Sequence, residues 1–136
     1  MKFENSSFFE LKHFKLEMPF GNFYFLETFF IGEINEGVHF DWNMIQSVME
    51  HVVDFYGADA KIGYIPNRIN SYSINPQTWN KVQKKYNMIH VGAIISYNNF
   101  NFMNASLENK ISDTIIIKSC HSLNEAIEWV WEATKN

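Results

Sequence analysis

Two apolar runs separated by a helix-like stretch place the strongest constraint on the fold of this 136-residue chain. The residues 62–65 and 88–95 are almost all hydrophobic, which is typical of parallel strands covered on both faces by helices. Between the runs, Asn75 followed by Pro76 predicts the N-cap and the first residue of a helix. The stretch therefore predicts a strand–helix–strand unit of an α/β protein.

The same pattern continues on both sides of this unit. Asp41 predicts the N-cap of a helix over 42–56 that ends at Gly57. Residues 114–118 predict a third buried strand, and a capping box at the start of 122–134 predicts a final helix. The intervening residues 98–110 are rich in asparagine, with a short helix expected over 103–109.

The N-terminal third predicts antiparallel strands. Hydrophobic residues alternate from Phe8 to Met18, but the parity slips, so a bulge or bend is expected near His13. The turn residues 19–22 predict a hairpin into the next aromatic strand, and Asn35-Glu36-Gly37 closes the segment.

We expect a single α/β domain spanning 1–136. Its antiparallel strands would lie within 7–36 and its alternating helix and strand units within 41–134, giving one mixed sheet. The centre of the sheet is expected to hold 62–65, 89–95 and 114–117, with helices 42–56 and 122–134 packed against it.

Composition excludes several functional classes. A formal charge of −4 and a pI near 5.7 argue against a nucleic-acid partner or an anionic membrane surface, since both require clustered positive charge. No apolar run approaches the roughly 18–20 residues of a membrane span, and residues 1–5 lack the apolar core of a signal peptide. With Cys120 as the sole cysteine, a reducing, cytoplasmic location is expected.

The polar stretch after the first apolar run is the candidate binding loop. It contains Arg68, the only arginine of the chain, and its other candidate residues are Asn67, Asn70, Ser71, Tyr72 and Ser73. Open α/β sheets place ligand crevices at the carboxyl ends of their strands, where Arg68 could hold an anion or a partner's carboxylate. The alternative is structural: the amides bond loop backbone, Arg68 pairs with a carboxylate, and both serines act as local caps.

Other chemistry-bearing residues predict no catalytic or metal site. The five histidines show no metal-ligand spacing, and we expect no metal and no cofactor. Cys120 and His121 are adjacent but would point apart, and Glu33 and Glu36 lack a third group that would make them an acid–base pair. We therefore expect a protein that is not an enzyme.

Aromatic residues are abundant, at 17% of the chain, and are dense between Phe20 and Phe30. They could form core, a homodimer interface, or the lining of an apolar-ligand site together with Trp42 or Trp79. The surplus on the N-terminal strands favours a symmetric dimer.

Four motifs together resemble the STAS/SpoIIAA-like superfamily, the fold of the anti-sigma-factor antagonists, and in particular its uncharacterised bacterial branch. They are Asn35–Val38, Tyr64–Ser73, Ala93–Tyr97 and Ser122–Trp129, and the resemblance covers roughly 23–131. It implies a non-catalytic regulatory or protein-interaction domain. Regulated members of the family carry a phosphorylatable serine in an Asp-Ser-Gly context. This chain has no Asp-Ser-Gly, although Ser71 and Ser73 lie in the matching loop as candidate phosphorylation sites.

Overall fold

A six-stranded mixed sheet forms the centre of the molecule. The computed structural model describes residues 1–96 and 115–135. The strands are β1 (Phe14–Met18), β2 (Gly21–Phe25), β3 (Phe29–Ile34), β4 (Ile62–Arg68), β5 (Ile89–Ser96) and β6 (Ile116–Cys120). The α-helices in the described residues are α1 (Trp42–Tyr56), α2 (Thr78–Tyr86) and α3 (Leu123–Thr134).

The strands lie in the sheet in the same order as in the sequence. β1, β2 and β3 are antiparallel to one another, whereas β3, β4, β5 and β6 are parallel. The predicted α/β class, with antiparallel N-terminal strands followed by alternating helices and strands, is therefore confirmed.

Both faces of the sheet are covered. On one face the helices α1 and α2 pack on alternate residues of the strands, including Phe23, Phe30 and Tyr64. On the other face α3 and the N-terminal Phe3 pack on the intervening residues, such as Ile31 and Ile65. Because β3 and β4 are covered on both sides, every residue of these two strands is buried.

Helix α1 has the predicted bounds and cap. The Asp41 carboxylate accepts a hydrogen bond from the Met44 N–H at 2.9 Å, and the buried stripe consists of Ile45, Val48, Met49 and Val52. Gly57 follows with φ of +93°, a region that L residues rarely adopt. Local sequence signals thus determine this helix.

The prediction that β4 ends at Ile65 and that Asn67 and Arg68 lie in a loop is wrong. The strand runs through Pro66 to Arg68, whose Cα pairs with that of Ser96 on β5. A proline normally argues against a central strand because it lacks an N–H. Here the pairing of β4 with β5 resumes at Asn67 opposite Ile95, so the missing N–H of Pro66 interrupts the ladder only locally.

The third apolar run is not at the sheet centre. Its strand, β6, is shifted to 116–120 and lies outside β5, as the last strand of the described sheet. Ile116 is 67% exposed within the described part of the molecule. The prediction that this continuous apolar run forms a central strand buried on both faces is therefore wrong.

The parity slip near the N-terminus has a different cause from the predicted bulge. Phe3–Asn5 and Ser7–Glu10 form short 3₁₀ helices, and β1 begins only at Phe14. The alternation between Phe8 and Met18 therefore spans two elements with different periods. The expected hairpin is present, with Met18 paired to Gly21.

One of the two predicted helix caps is absent and the other is present. The prediction that Asn75 caps α2 and that Pro76 is its first residue is wrong, because the helix begins at Thr78 after a turn at Pro76 and Gln77. The Asn75 side chain instead accepts from the Gln77 N–H at 3.0 Å. The side chain of Ser122 caps α3 as predicted, accepting from the Glu125 N–H at 3.1 Å. The helix predicted over 103–109 lies outside the described residues.

None of the helices in the described residues combines the length and the hydropathy required to cross a lipid bilayer.

Candidate functional site

Two loops meet at the carboxyl ends of β3 and β4, where the sequence predicts a binding site. The first loop is 35–40 and the second is 69–75, and we call them the paired loops. Three backbone hydrogen bonds join them: Gly37 N–H to Ser71 O at 2.8 Å, Ser73 N–H to Val38 O at 3.0 Å, and Phe40 N–H to Ser73 O at 2.8 Å. The loops therefore form a short parallel ladder beyond the sheet, centred on the bridge between His39 and Ser73.

Side chains of both loops reinforce this ladder. The Asn70 side-chain amide donates to Ile34 O at 3.1 Å, and the Glu36 carboxylate accepts from the Ser71 N–H at 3.2 Å. The Ser73 hydroxyl lies 2.7 Å from His39 Nδ1. Asn70 and Ser73 thus have the structural role that was the alternative to ligand binding, while Ser71 and Ser73 stay exposed.

Arg68 is buried rather than presented in a loop. The residue is 7% exposed, and its guanidinium carbon lies 4.8 Å from the centroid of the Tyr72 ring. The face of an aromatic ring attracts a cation electrostatically, and the attraction strengthens when water is excluded. The only arginine therefore anchors the second loop to the end of β4 through Tyr72.

Asn67 does not join Arg68 in one donor set. Neighbouring residues of a strand point to opposite faces of a sheet, and Arg68 shares the α1 face with Tyr72. The Asn67 amide instead lies on the α3 face, where it donates to Glu33 Oε2 and to Met1 O, both at 2.8 Å. Asn67 therefore contributes no donor beside the Arg68 guanidinium.

Glu33 is the polar residue whose role the sequence interpretation missed. It is 6% exposed, and its Oε2 also accepts from the Phe3 N–H at 2.7 Å. Burial raises the pKa of Glu33, while the hydrogen bonds from Phe3 and Asn67 act in the opposite direction. The signal that could have revealed it is a single carboxylate inside the apolar run 29–34.

Glu33 and Glu36 do not form an acid–base pair. Glu33 is buried on the α3 face against Phe3, whereas Glu36 is exposed and bonds the second loop. Cys120 is buried, and burial raises the pKa of its thiol to about 11, which disfavours the nucleophilic thiolate. Among the described residues, no group of three metal-ligating side chains converges.

The aromatic residues of β2 and β3 are divided between the two faces: Phe23, Phe25 and Phe30 pack under α1 and α2, whereas Tyr24 and Phe29 pack on the α3 face. A cavity of about 40 Å³ remains under α1 and α2, lined by apolar residues that include Phe23, Phe30, Phe40 and Trp79. Ligand pockets usually measure about 300–1,000 Å³. This cavity is therefore far smaller than a typical site for a small molecule.

Comparison with known proteins yields no assignment: no family model, no curated protein and no solved structure matches this chain. The STAS-like resemblance rests on the four sequence motifs alone.

Proposed function

We propose that the chain is a non-catalytic regulatory or protein-interaction domain of the STAS-like type, and that the paired loops are its contact surface. The observation that carries the proposal is the hydrogen-bonded ladder between Gly37–Phe40 and Ser71–Ser73. It fixes two loops at the end of the sheet where α/β proteins place their binding sites.

Order in the free protein favours binding. A loop that is already fixed loses little conformational entropy when a partner binds, so more of the contact energy contributes to affinity. The surface of the paired loops exposes Glu36, His39, Ser71 and Ser73. Such a surface suits a protein partner with complementary polar groups at its contact.

Phosphorylation could regulate this surface, and Ser73 is the better placed of the two candidate serines. Its hydroxyl lies 2.7 Å from His39 Nδ1, so an imidazole N–H could donate to a phosphate at this position. The Ser71 backbone instead contacts the Glu36 carboxylate, so a phosphate on Ser71 would meet a like charge.

The alternative function, binding of an apolar or anionic small molecule, has weaker support. The cavity under α1 and α2 is about 40 Å³, the groove of about 640 Å³ beside Phe14 and Phe55 contains no residue of the candidate binding loop, and Arg68 is directed at Tyr72 within the protein. The paired loops offer a surface rather than an enclosed volume, which favours a macromolecular partner.

The test is quantitative affinity capture from a lysate of the source organism with three forms of the protein. Wild type is compared with the double variant Ser71→Arg/Ser73→Arg and with Glu50→Arg. The exposed Glu50 lies on α1 away from the loops, and its replacement changes the net charge by the same amount as the double variant. We expect a partner that wild type and Glu50→Arg retain and the double variant loses.

Circular dichroism and thermal melting confirm that each variant is folded. Identical sets of captured proteins for all three forms would overturn the paired loops as the contact surface. Loss of the partner with Glu50→Arg alone would place the contact on α1.

A further inference from the structure

β1 is an edge strand with a chemically symmetric sequence. In the described sheet it is the first strand and pairs with β2 alone. Its residues are Phe14-Lys15-Leu16-Glu17-Met18, with a cation and an anion on either side of Leu16 and an apolar residue at each end. Phe14, Lys15 and Glu17 are exposed. An exposed strand edge is a template for pairing with another chain.

The hairpin register shows which backbone groups face the open edge. Met18 and Gly21 flank a two-residue turn, so the backbone N–H and C=O groups of Met18 point towards those of Gly21 on β2. Residues of an antiparallel ladder alternate between bonding inward and bonding outward. Leu16 and Phe14 therefore bond inward to β2, as Met18 does, whereas Lys15 and Glu17 direct their N–H and C=O groups outward.

We propose that two copies of this chain form a symmetric dimer by antiparallel pairing of their β1 strands, centred on Leu16. In this register Lys15 of each copy lies opposite Glu17 of the partner subunit, and the two residues exchange backbone hydrogen bonds. The same pairing places the ammonium group of one beside the carboxylate of the other, twice by symmetry. Opposite charges at directly facing positions stabilise a pair of strands.

The neighbouring registers are disfavoured by the same chemistry. A two-fold axis perpendicular to the sheet leaves each side chain on the same face in both copies. The axis must therefore pass through a residue of β1 rather than between two residues, and the neighbouring registers are centred on Lys15 and on Glu17. Centring on Lys15 brings two lysines together, and centring on Glu17 brings two glutamates together. The Glu17 register also places Lys15 opposite Pro19, which has no N–H to donate. Leu16 is thus the centre that satisfies both charge and hydrogen bonding.

The opposite face of β1 supports the same register. Phe14 and Phe55 are each 49% exposed and stack at 6.1 Å between centroids. In the proposed dimer Met18 of the partner subunit lies opposite Phe14. A thioether packs favourably against an aromatic ring, so the dimer covers part of an apolar patch that the monomer leaves in water.

This dimer does not rest on the proposed function, because it uses the outward backbone groups of β1, whereas the proposed contact surface is formed by the paired loops that follow β3 and β4. The experiment is sedimentation velocity over a wide concentration series. Wild type should shift towards twice the monomer mass of 16.1 kDa as concentration rises. Lys15→Glu and Glu17→Lys should each remain monomeric at concentrations where wild type is dimeric, because each places like charges opposite one another.

The double variant Lys15→Glu/Glu17→Lys decides the register. It reverses both charges and restores the facing pairs, so it should dimerise as wild type does. Lys84→Glu, an exposed position on α2, changes the net charge as Lys15→Glu does and should leave the dimer intact. Thermal melting shows whether each variant is folded.

Hydrogen exchange supplies a second measurement. The amides of Lys15 and Glu17 should become more protected as concentration rises, whereas the Leu16 amide should not change. A wild type that stays monomeric throughout overturns the proposal. Failure of the double variant to restore dimerisation, or equal protection of Leu16, overturns the register and with it the proposed pairing.

Discussion

Glu33 and Asn67 hold the N-terminus against the sheet from adjacent parallel strands. Glu33 Oε2 accepts from Asn67 Nδ2 at 2.8 Å and from the Phe3 N–H at 2.7 Å, and the same Asn67 amide nitrogen donates to Met1 O. The two residues follow the paired Gly32 and Pro66, so the parallel register places their side chains side by side on the α3 face. One buried carboxylate therefore connects β3, β4 and the first residues of the chain.

The stability that Glu33 contributes should depend on pH. Burial is the largest influence on its pKa and raises it above the ordinary 4.5. The folded state consequently favours the protonated acid, whose stabilising contribution is complete below the unfolded pKa and is lost as pH rises through the folded pKa. Urea denaturation of wild type and Glu33→Gln across this range should show wild type losing stability relative to the variant as pH increases.

Glu128→Gln, at an exposed position of α3, controls for the loss of one negative charge. If wild type instead gained stability relative to Glu33→Gln with rising pH, the hydrogen bonds from Phe3 and Asn67 would outweigh the cost of burying the carboxylate.

Replacement of Arg68 should destabilise the fold. The side chain is 7% exposed and its cation lies over the Tyr72 ring, an interaction worth about 2 kcal/mol when desolvated. We expect Arg68→Ala to lower the free energy of unfolding by at least about 2 kcal/mol. Arg68→Lys should recover part of the loss, because it keeps the charge without the planar group.

Chemical denaturation measures both Arg68 variants, and the melts are repeated with inorganic phosphate. A change within about 0.5 kcal/mol for Arg68→Ala, the range typical of surface sites, would contradict the structural role. Stabilisation of wild type by phosphate, but not of the variant, would return the residue to anion binding.

Two strand glycines should respond differently to the same substitution. A methyl group on Gly32 would lie 2.6 Å from the Tyr64 hydroxyl and 2.9 Å from a ring carbon of Phe23, whereas the nearest described atoms to one on Gly92 would lie 3.7 Å away. Overpacking costs about 1–3 kcal/mol, so Gly32→Ala should lose stability in that range. Gly92→Ala should stay within about 1 kcal/mol of wild type, and equal losses in thermal or urea melts would contradict this packing.

Tyr56 should stabilise the end of α1. Its hydroxyl lies 2.6 Å from Leu26 O and 2.8 Å from Phe29 O, and burial raises its pKa. Tyr56→Phe leaves these carbonyls without that donor and should cost about 1–3 kcal/mol. Tyr86→Phe is the matched control, because no described residue accepts from that hydroxyl. Similar losses for both variants in urea denaturation would show that the Tyr56 hydrogen bond has no special weight.

Local sequence chemistry determined the elements whose cause is local. The cap at Asp41, the apolar stripe of α1, the turn before Gly21 and the cap at Ser122 follow from residues a few positions apart. The mixed α/β class follows in turn from the alternation of these elements. None of this requires knowledge of which strand lies beside which.

Tertiary structure alone decided the burial of the polar residues and the position of each strand in the sheet. Asn67 and Arg68 look like loop residues, but they are buried because distant groups meet their needs: Glu33 and the N-terminus on one face, and Tyr72 on the other. Ile116 and Ile117 were expected at the centre of the sheet, yet their strand lies outside β5 in the described sheet. The chemistry of a side chain determines which partners it requires when it is buried. Only the long-range pairing of strands determines whether those partners are present.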